Sequence, residues 1–386
     1  MSGFRLTNIK MRRITSSFFY LEQLDGLRFL PIMIVVFYHL TLFISDYTKY
    51  IFIDDSSGYY LLNLMKINGH RGVELFFVIS GLILSLPFAR QYIKNGQKVS
   101  VIKYFFRRLT RIEPPYIIML AVNLITIYLF FGVSFNDLVK SFFLSALYIH
   151  NFFPDYYWIN YVTWSLEIEI QFYLLAPILC LFYLFRSKYR RIGIILVILL
   201  MSWLLEIIKL PFVTVINYLP HFLLGMLLAD IYISKNSKIN FKSLNFPIGI
   251  VLILIISFYI NNYILYKYIL FSCIALFYLM VITNDLWKKI FSAKWLVIIG
   301  TMCYSIYLIH PIAIAVIGFN TLSLKVSDYF IVYFIFQFII ILTSIMLASA
   351  LFYIVIERPC MDQNWPKKLI TFIKNRITSK KTVEEM

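Results

Sequence analysis

The chain has 386 residues, of which 61% are hydrophobic and 14% charged, with a mean hydropathy of +0.80 and 36 basic against 19 acidic side chains. Soluble domains are roughly 45–50% apolar, so composition excludes a water-exposed globule, and it excludes a disordered chain for the same reason. The net charge of +17 is spread over short stretches between apolar runs, which points to membrane orientation and anionic lipid as the cause and to no nucleic-acid partner.

A bilayer is crossed by about 20 apolar residues. In chain order, spans are expected at 27–45, 72–89, 115–132, 164–185, 192–209, 213–231, 247–265, 268–284, 295–317 and 329–357. The expected fold is an all-α membrane protein of about ten transmembrane helices. Residues 138–153 are also apolar, but the run is short and ends in the aromatic, polar stretch His150 to Asn160. It is expected to be re-entrant or interfacial. With the N-terminus in the cytoplasm, 28 of the 36 basic residues fall inside, seven outside, and Arg28 at the mouth of the first span. That asymmetry supports ten spans with both termini cytoplasmic, and a spanning 138–153 would reverse every later loop and erase most of it.

The expected organisation is a cytoplasmic segment at 1–20, a transmembrane domain at 21–360 and a basic cytoplasmic tail at 361–386. Residues 1–26 are polar and mixed, and no small-residue cleavage site follows the first apolar run, so no cleavable signal peptide is expected. The cysteines Cys180, Cys273, Cys303 and Cys360 are scattered without a CxxC pair, which suggests neither a disulfide framework nor a zinc site.

Titratable groups inside spans are costly and usually face a protein interior or a wet cavity. Arg28 and His39 are eleven residues apart. On a straight helix they share a face, about 16 Å apart along the axis, with Asp25 near the same stripe. Glu74 opens the second span. Glu169 lies about a turn and a half into the fourth, on one face with Ser165 and Tyr173, while Glu167 points elsewhere. His310 stands about 22 Å along the ninth span from its inner end. His39, Glu74, Glu169 and His310 are therefore expected in one outer-half layer. A histidine beside carboxylates at low dielectric has the composition of a general base. Plainer roles stay open for each: hydrogen-bonded packing for the histidines, an ion pair for Glu169, an interfacial carboxylate for Glu74. His70, His150 and His221 read as structural, the first two in loops and the third alone on its helix.

Arg107, Arg108 and Arg111 precede Glu113-Pro114-Pro115 at the expected start of the third span. Guanidinium forks match phosphate oxygens in shape and charge, although an ordinary positive flank reads the same way. No local spacing of histidines and carboxylates suggests a metal.

The string Leu24-Asp25-Gly26-Leu27-Arg28, followed by apolar residues to His39, resembles the opening helix of the acyltransferase-3 family of integral membrane acyltransferases. Gly72 to Gly81 (GVELFFVISG) is similar to that family's second-helix motif. Arg107 to Ile112 with Pro114 is similar to its arginine-rich motif. Trp164-Ser165-Leu166 with Glu169, Phe172 and Tyr173 resembles its Trp-Ser-Leu-x-x-Glu helix. Tyr304 to Pro311 resembles its Tyr-Leu-x-His-Pro segment, and Glu357-Arg358-Pro359 its closing motif. Each match is weak alone, but six in order from residue 21 to 359 are specific together. The sequence departs at Phe29-Leu30-Pro31, where small residues are the family pattern. No C-terminal esterase-like domain of the kind some members carry is expected.

The resemblance implies a multi-pass protein of the cell (inner) membrane. It would transfer an acyl group, commonly acetyl, from acyl-CoA to a hydroxyl of a cell-surface polysaccharide, glycolipid or similar acceptor. On the residue layout, Arg108 and Arg111 are then expected on the coenzyme A phosphates, with Arg28 doing the same or orienting the donor. His39 would be the general base, oriented by a carboxylate, Glu169 or else Glu74. No cofactor would be permanently bound, acyl-CoA being a substrate. The rival reading from another class is a multipass transporter or glycan flippase, but no pairing of related halves is seen.

Overall fold

A computed structural model describes residues 21–47, 62, 66–234, 248–249, 251–253, 264–324, 326–327, 329–362, 364–366 and 371. The expected segment 1–20, most of the expected tail 361–386 and most of the expected span 247–265 lie outside the described residues. Among the described residues there are helices and turns but no strands.

The helices are α1 (Glu22–Leu27), α2 (Phe29–Tyr47), α3 (Arg71–Lys94), α4 (Val101–Phe131), α5 (Phe135–Ala146), α6 (Trp164–Leu179), α7 (Ser187–Ile207), α8 (Val215–Ser234), α9 (Ile264–Thr283), α10 (Asp285–Phe291), α11 (Lys294–Thr301), α12 (Cys303–Thr321) and α13 (Phe330–Phe352). Eight of the resulting segments are long and apolar enough to cross a membrane. The fifth expected span is α7, but every 18-residue stretch of it carries three charged side chains. Arg190 and Arg191 stand within this helix rather than in a loop. Both meet the buried Asp230 of α8, at 2.5 and 2.6 Å, and Ser234 Oγ donates to the same carboxylate at 2.7 Å. Removing one member of such a group strands the others without water, which is why it holds α7 to α8.

Three expected spans are built differently. The first is interrupted at Arg28. Pro31 has no N–H to offer the Leu27 carbonyl, so α1 ends there and α2 begins at Phe29. The third begins at Val101, so the arginines lie on the span itself, and the helix continues through Pro114 and Pro115. The ninth divides at Met302 into α11 and α12. Segment 138–153 forms α5 and a short turn at His150–Phe152. Twelve helical residues rise only about 18 Å, too little to span.

Helix α3 crosses α8 at close range. A Cβ on Gly81 would come within 2.2 Å of the Phe222 carbonyl oxygen, and one on Gly225 within 2.2 Å of the Val78 oxygen. Small residues let the two backbones touch, as is common between membrane helices. Gly81→Ala has only backbone to displace, so it should destabilise the folded protein by about 1–3 kcal/mol. Thermal unfolding in detergent would show a lower Tm; an unchanged Tm would mean the crossing is loose.

Candidate active site

The break in the first span places Arg28 between α1 and α2, with its guanidinium 2.5 Å from the buried Asp25. Arg108 and Arg111 of α4 line a cavity with it, whose wall also includes Glu169 of α6. Arg107 is exposed and is not part of that wall. Arg111 is 3.7 Å from Glu357, whose other oxygen accepts the Ser305 hydroxyl at 2.6 Å and the Ser305 N–H at 3.2 Å. Arg108 lies 6.0 Å from the ring centres of Tyr104 and Tyr173. Among the described residues no carboxylate is within 4.0 Å of it. The remaining wall is largely apolar, including Val35, Phe76, Ile83 and Leu84, so charges aimed into it are poorly screened.

Glu169 was expected to orient His39, but its hydrogen-bond partners are Ser80 and Tyr173. One of its oxygens accepts hydrogen bonds from Ser80 Oγ and Tyr173 OH, both at 2.7 Å. Tyr173 thus links the Glu169 carboxylate to the Arg108 guanidinium.

His39 has an imidazole as its partner instead of a carboxylate. Its Nδ1 is 3.1 Å from His310 Nε2, and His310 Nδ1 is 3.1 Å from the Ile306 carbonyl oxygen. A carbonyl can only accept, so His310 Nδ1 carries the proton and its Nε2 accepts from His39 Nδ1–H in the neutral pair. That leaves a lone pair on His39 Nε2. Tyr38 and Tyr161 flank this ring, at 4.9 and 5.2 Å between centres. Neither imidazole lines the cavity. Val35, one turn before His39, and Tyr307, three residues before His310, both line it. Tyr307 OH donates to the Val162 carbonyl and is 2.9 Å from Ser165 Oγ, so two hydroxyls stand between cavity and imidazoles.

Glu74 is not part of the cavity wall. It follows Val73, a lining residue, and the 100° advance per helical residue turns it towards α8. There its carboxylate is 3.6 Å from His221 Nε2. His221 is therefore not alone, a pairing invisible from its own helix. His150 has the structural role expected of it. Its backbone N–H and that of Asn151 donate to Glu167, at 3.1 and 2.9 Å, and its ring packs on Trp158 at 3.7 Å. Burial lowers its pKa, keeping it neutral. His70 bonds the Ile67 carbonyl at 3.0 Å, at the entry to α3. Ser80, Tyr307 and Glu357 were legible only as members of motifs, because none is titratable within a span or, in the case of Glu357, it falls at a span's end.

Residues 21–354 match the family described as an acyltransferase domain. This chain belongs to that acyltransferase-3 family. It is similar to a protein named O-acetyltransferase OatA from Staphylococcus aureus (strain NCTC 8325 / PS 47), at 27% identity over 332 residues, 77% of this chain and 51% of the relative. It is similar also to a putative O-acetyltransferase of Staphylococcus aureus (strain COL), at 27% identity over 339 residues, 78% and 51% of the two chains. The chain spans about half the length of the curated relatives it matches. No solved structure matches it. In this member of the family the six motifs converge in space: the opening, second-helix, arginine-rich, Trp-Ser-Leu and Tyr-Leu-x-His-Pro segments all contribute to the cavity wall, and the closing motif meets it through Glu357 and Arg111.

Proposed function

We propose that this membrane protein is an O-acyltransferase that moves an acyl group, acetyl first among them, from acyl-CoA to a hydroxyl of a cell-surface polysaccharide or glycolipid. The observation that carries the reading is the His39–His310 pair, with an unprotonated Nε2, beside an arginine-walled cavity. The relatives' names favour acetyl and oxygen. The multi-pass placement is assigned to the cell (inner) membrane, in contact with its lipids, where cytoplasmic donor and surface acceptor meet.

Coenzyme A offers phosphates to guanidinium forks. Arg108 is the first contact, since it has no carboxylate at ion-pair distance among the described residues; Arg111 and Arg28 each already face one. The thioester reaches along the apolar wall towards Val35 and Tyr307. His39 Nε2 takes the proton of the acceptor hydroxyl as its oxygen attacks the thioester carbonyl. The C–S bond breaks on collapse, and the thiolate takes the proton from the imidazolium, leaving an ester and free coenzyme A thiol. His310 keeps its hydrogen bond from His39 Nδ1–H throughout, holding the ring in the reactive tautomer. The Ser165 hydroxyl offers a donor to the carbonyl oxygen as charge develops there, while Tyr307 keeps its own proton on the Val162 carbonyl. Glu169 serves the cavity, tying Tyr173 and Ser80, rather than the base.

Membranes carrying the protein are expected to release coenzyme A thiol from acetyl-CoA only when a hydroxylated glycan is added, and mass spectrometry should find the acyl group on that glycan. Thiol release with no acylated glycan, or no release with any acceptor, would overturn the reading.

A further inference from the structure

Pro114 and Pro115 lie inside the continuous helix α4. Proline has no N–H, so the carbonyls of Thr110 and Arg111 lose the donors an ordinary helix would supply. Those carbonyls belong to the turn that carries Arg108 and Arg111. A substitute donor comes from the far end of the chain. Trp365 Nε1–H donates to the Thr110 carbonyl at 3.0 Å. Two residues on, Tyr304 OH donates to the Ile112 carbonyl at 2.9 Å.

Trp365 follows the end of the last span. A π-helical turn at Tyr353–Glu357 ends the last span, and such turns often mark functional sites. Cys360 and Met361 are buried after it. The chain then turns on Asp362, whose carbonyl accepts from Trp365 N–H at 3.0 Å and whose side chain accepts from Asn364 N–H at 2.9 Å. Glu357, at the start of the same segment, faces the Arg111 guanidinium. One stretch of chain therefore grips the arginine turn by its main chain and by its charge.

We propose that Trp365 is a positioning residue of the donor site: by donating to Thr110, it fixes the proline-opened turn of α4 so that Arg108 and Arg111 stay aimed into the cavity. This rests on reading the cavity as the acyl-CoA site. It adds a residue outside the cavity wall and beyond the stretch matched to the family. It also makes donor affinity depend on the segment after the last span.

Trp365→Phe keeps an aromatic ring and removes the N–H. The purified full chain is compared with this variant by coenzyme A binding, by donor KM and kcat, and by hydrogen–deuterium exchange over residues 107–118. Exchange should quicken there. The Kd for coenzyme A and the donor KM should rise about three- to tenfold, the scale of one neutral hydrogen bond, with kcat within about twofold. Pro114→Ala returns an N–H to the helix, so in that background Trp365→Phe should cost no further donor affinity. A tryptophan that merely anchors the tail would not be relieved in this way. Unchanged exchange, or quicker exchange with unchanged coenzyme A affinity, overturns the proposal, as does an equal loss in the Pro114→Ala background. If the wild-type chain binds no coenzyme A, the donor reading fails and the proposal falls with it, while quicker exchange would still report the clamp itself.

Discussion

His39→Ala is expected to lower acyl transfer by about 10²–10⁴-fold, the usual share of a positioned general base. The protein should still insert and fold. His39 is half-buried, and its ring bonds His310 and the Val35 carbonyl one turn earlier, so truncation removes packing on Tyr161 and Tyr38 but breaks no backbone ladder. His310→Ala is the informative companion. It leaves His39 present but takes away an acceptor that holds its proton on Nδ1. The remaining imidazole then populates both tautomers, and only one has its lone pair on Nε2. The loss should be real but smaller than for His39→Ala. Single-turnover transfer of labelled acetyl in membranes, normalised to inserted protein, measures both. Full activity in His39→Ala would assign the base elsewhere, and equal losses in the two variants would mean that the imidazoles act as one unit.

What the sequence carried, and what it did not, divides along a physical line. Span positions follow from apolar runs, and α3, α6, α8, α9 and α13 begin and end close to where those runs do. The division at Arg28 follows from the missing N–H of Pro31, which is a local fact. Rotational phase is not local. Glu74 and Val73 are neighbours, yet one faces His221 and the other lines the cavity, because the packing of α3 on α8 through Gly81 and Gly225 sets the rotation. Long-range pairings are equally silent in a single sequence. His39 and His310 are 271 residues apart and Arg190 and Asp230 are 40 apart. Depth alone put His39 and Glu169 together, and depth cannot say which partner a ring nitrogen meets. The charges of α7 show the same limit from the other side: they read as a loop flank until Asp230 is placed beside them.

Arg108→Ala combined with Arg111→Ala is expected to raise the donor requirement about a hundredfold. A hydrogen bond to a charged group contributes roughly 1.5–3 kcal/mol, and the partial exposure of these side chains at the cavity mouth trims the sum. The two losses will not be symmetric. Arg111 is already engaged with Glu357, so removing it also leaves that buried carboxylate facing a hollow, whereas Arg108 is set against two tyrosine rings. Arg108→Ala alone should therefore act mainly on donor KM, and Arg111→Ala on KM and on thermal stability together. Arg107→Ala, on the exposed side of the same turn, separates phosphate recognition from simple positive charge. It should leave donor KM within about twofold at physiological salt, where an exposed charge is largely screened. If Arg107→Ala raised donor KM as much as Arg108→Ala does, the arginines would act as a diffuse positive flank and not as a phosphate clamp. If the double variant kept the wild-type donor KM, the cavity would not be where the donor sits.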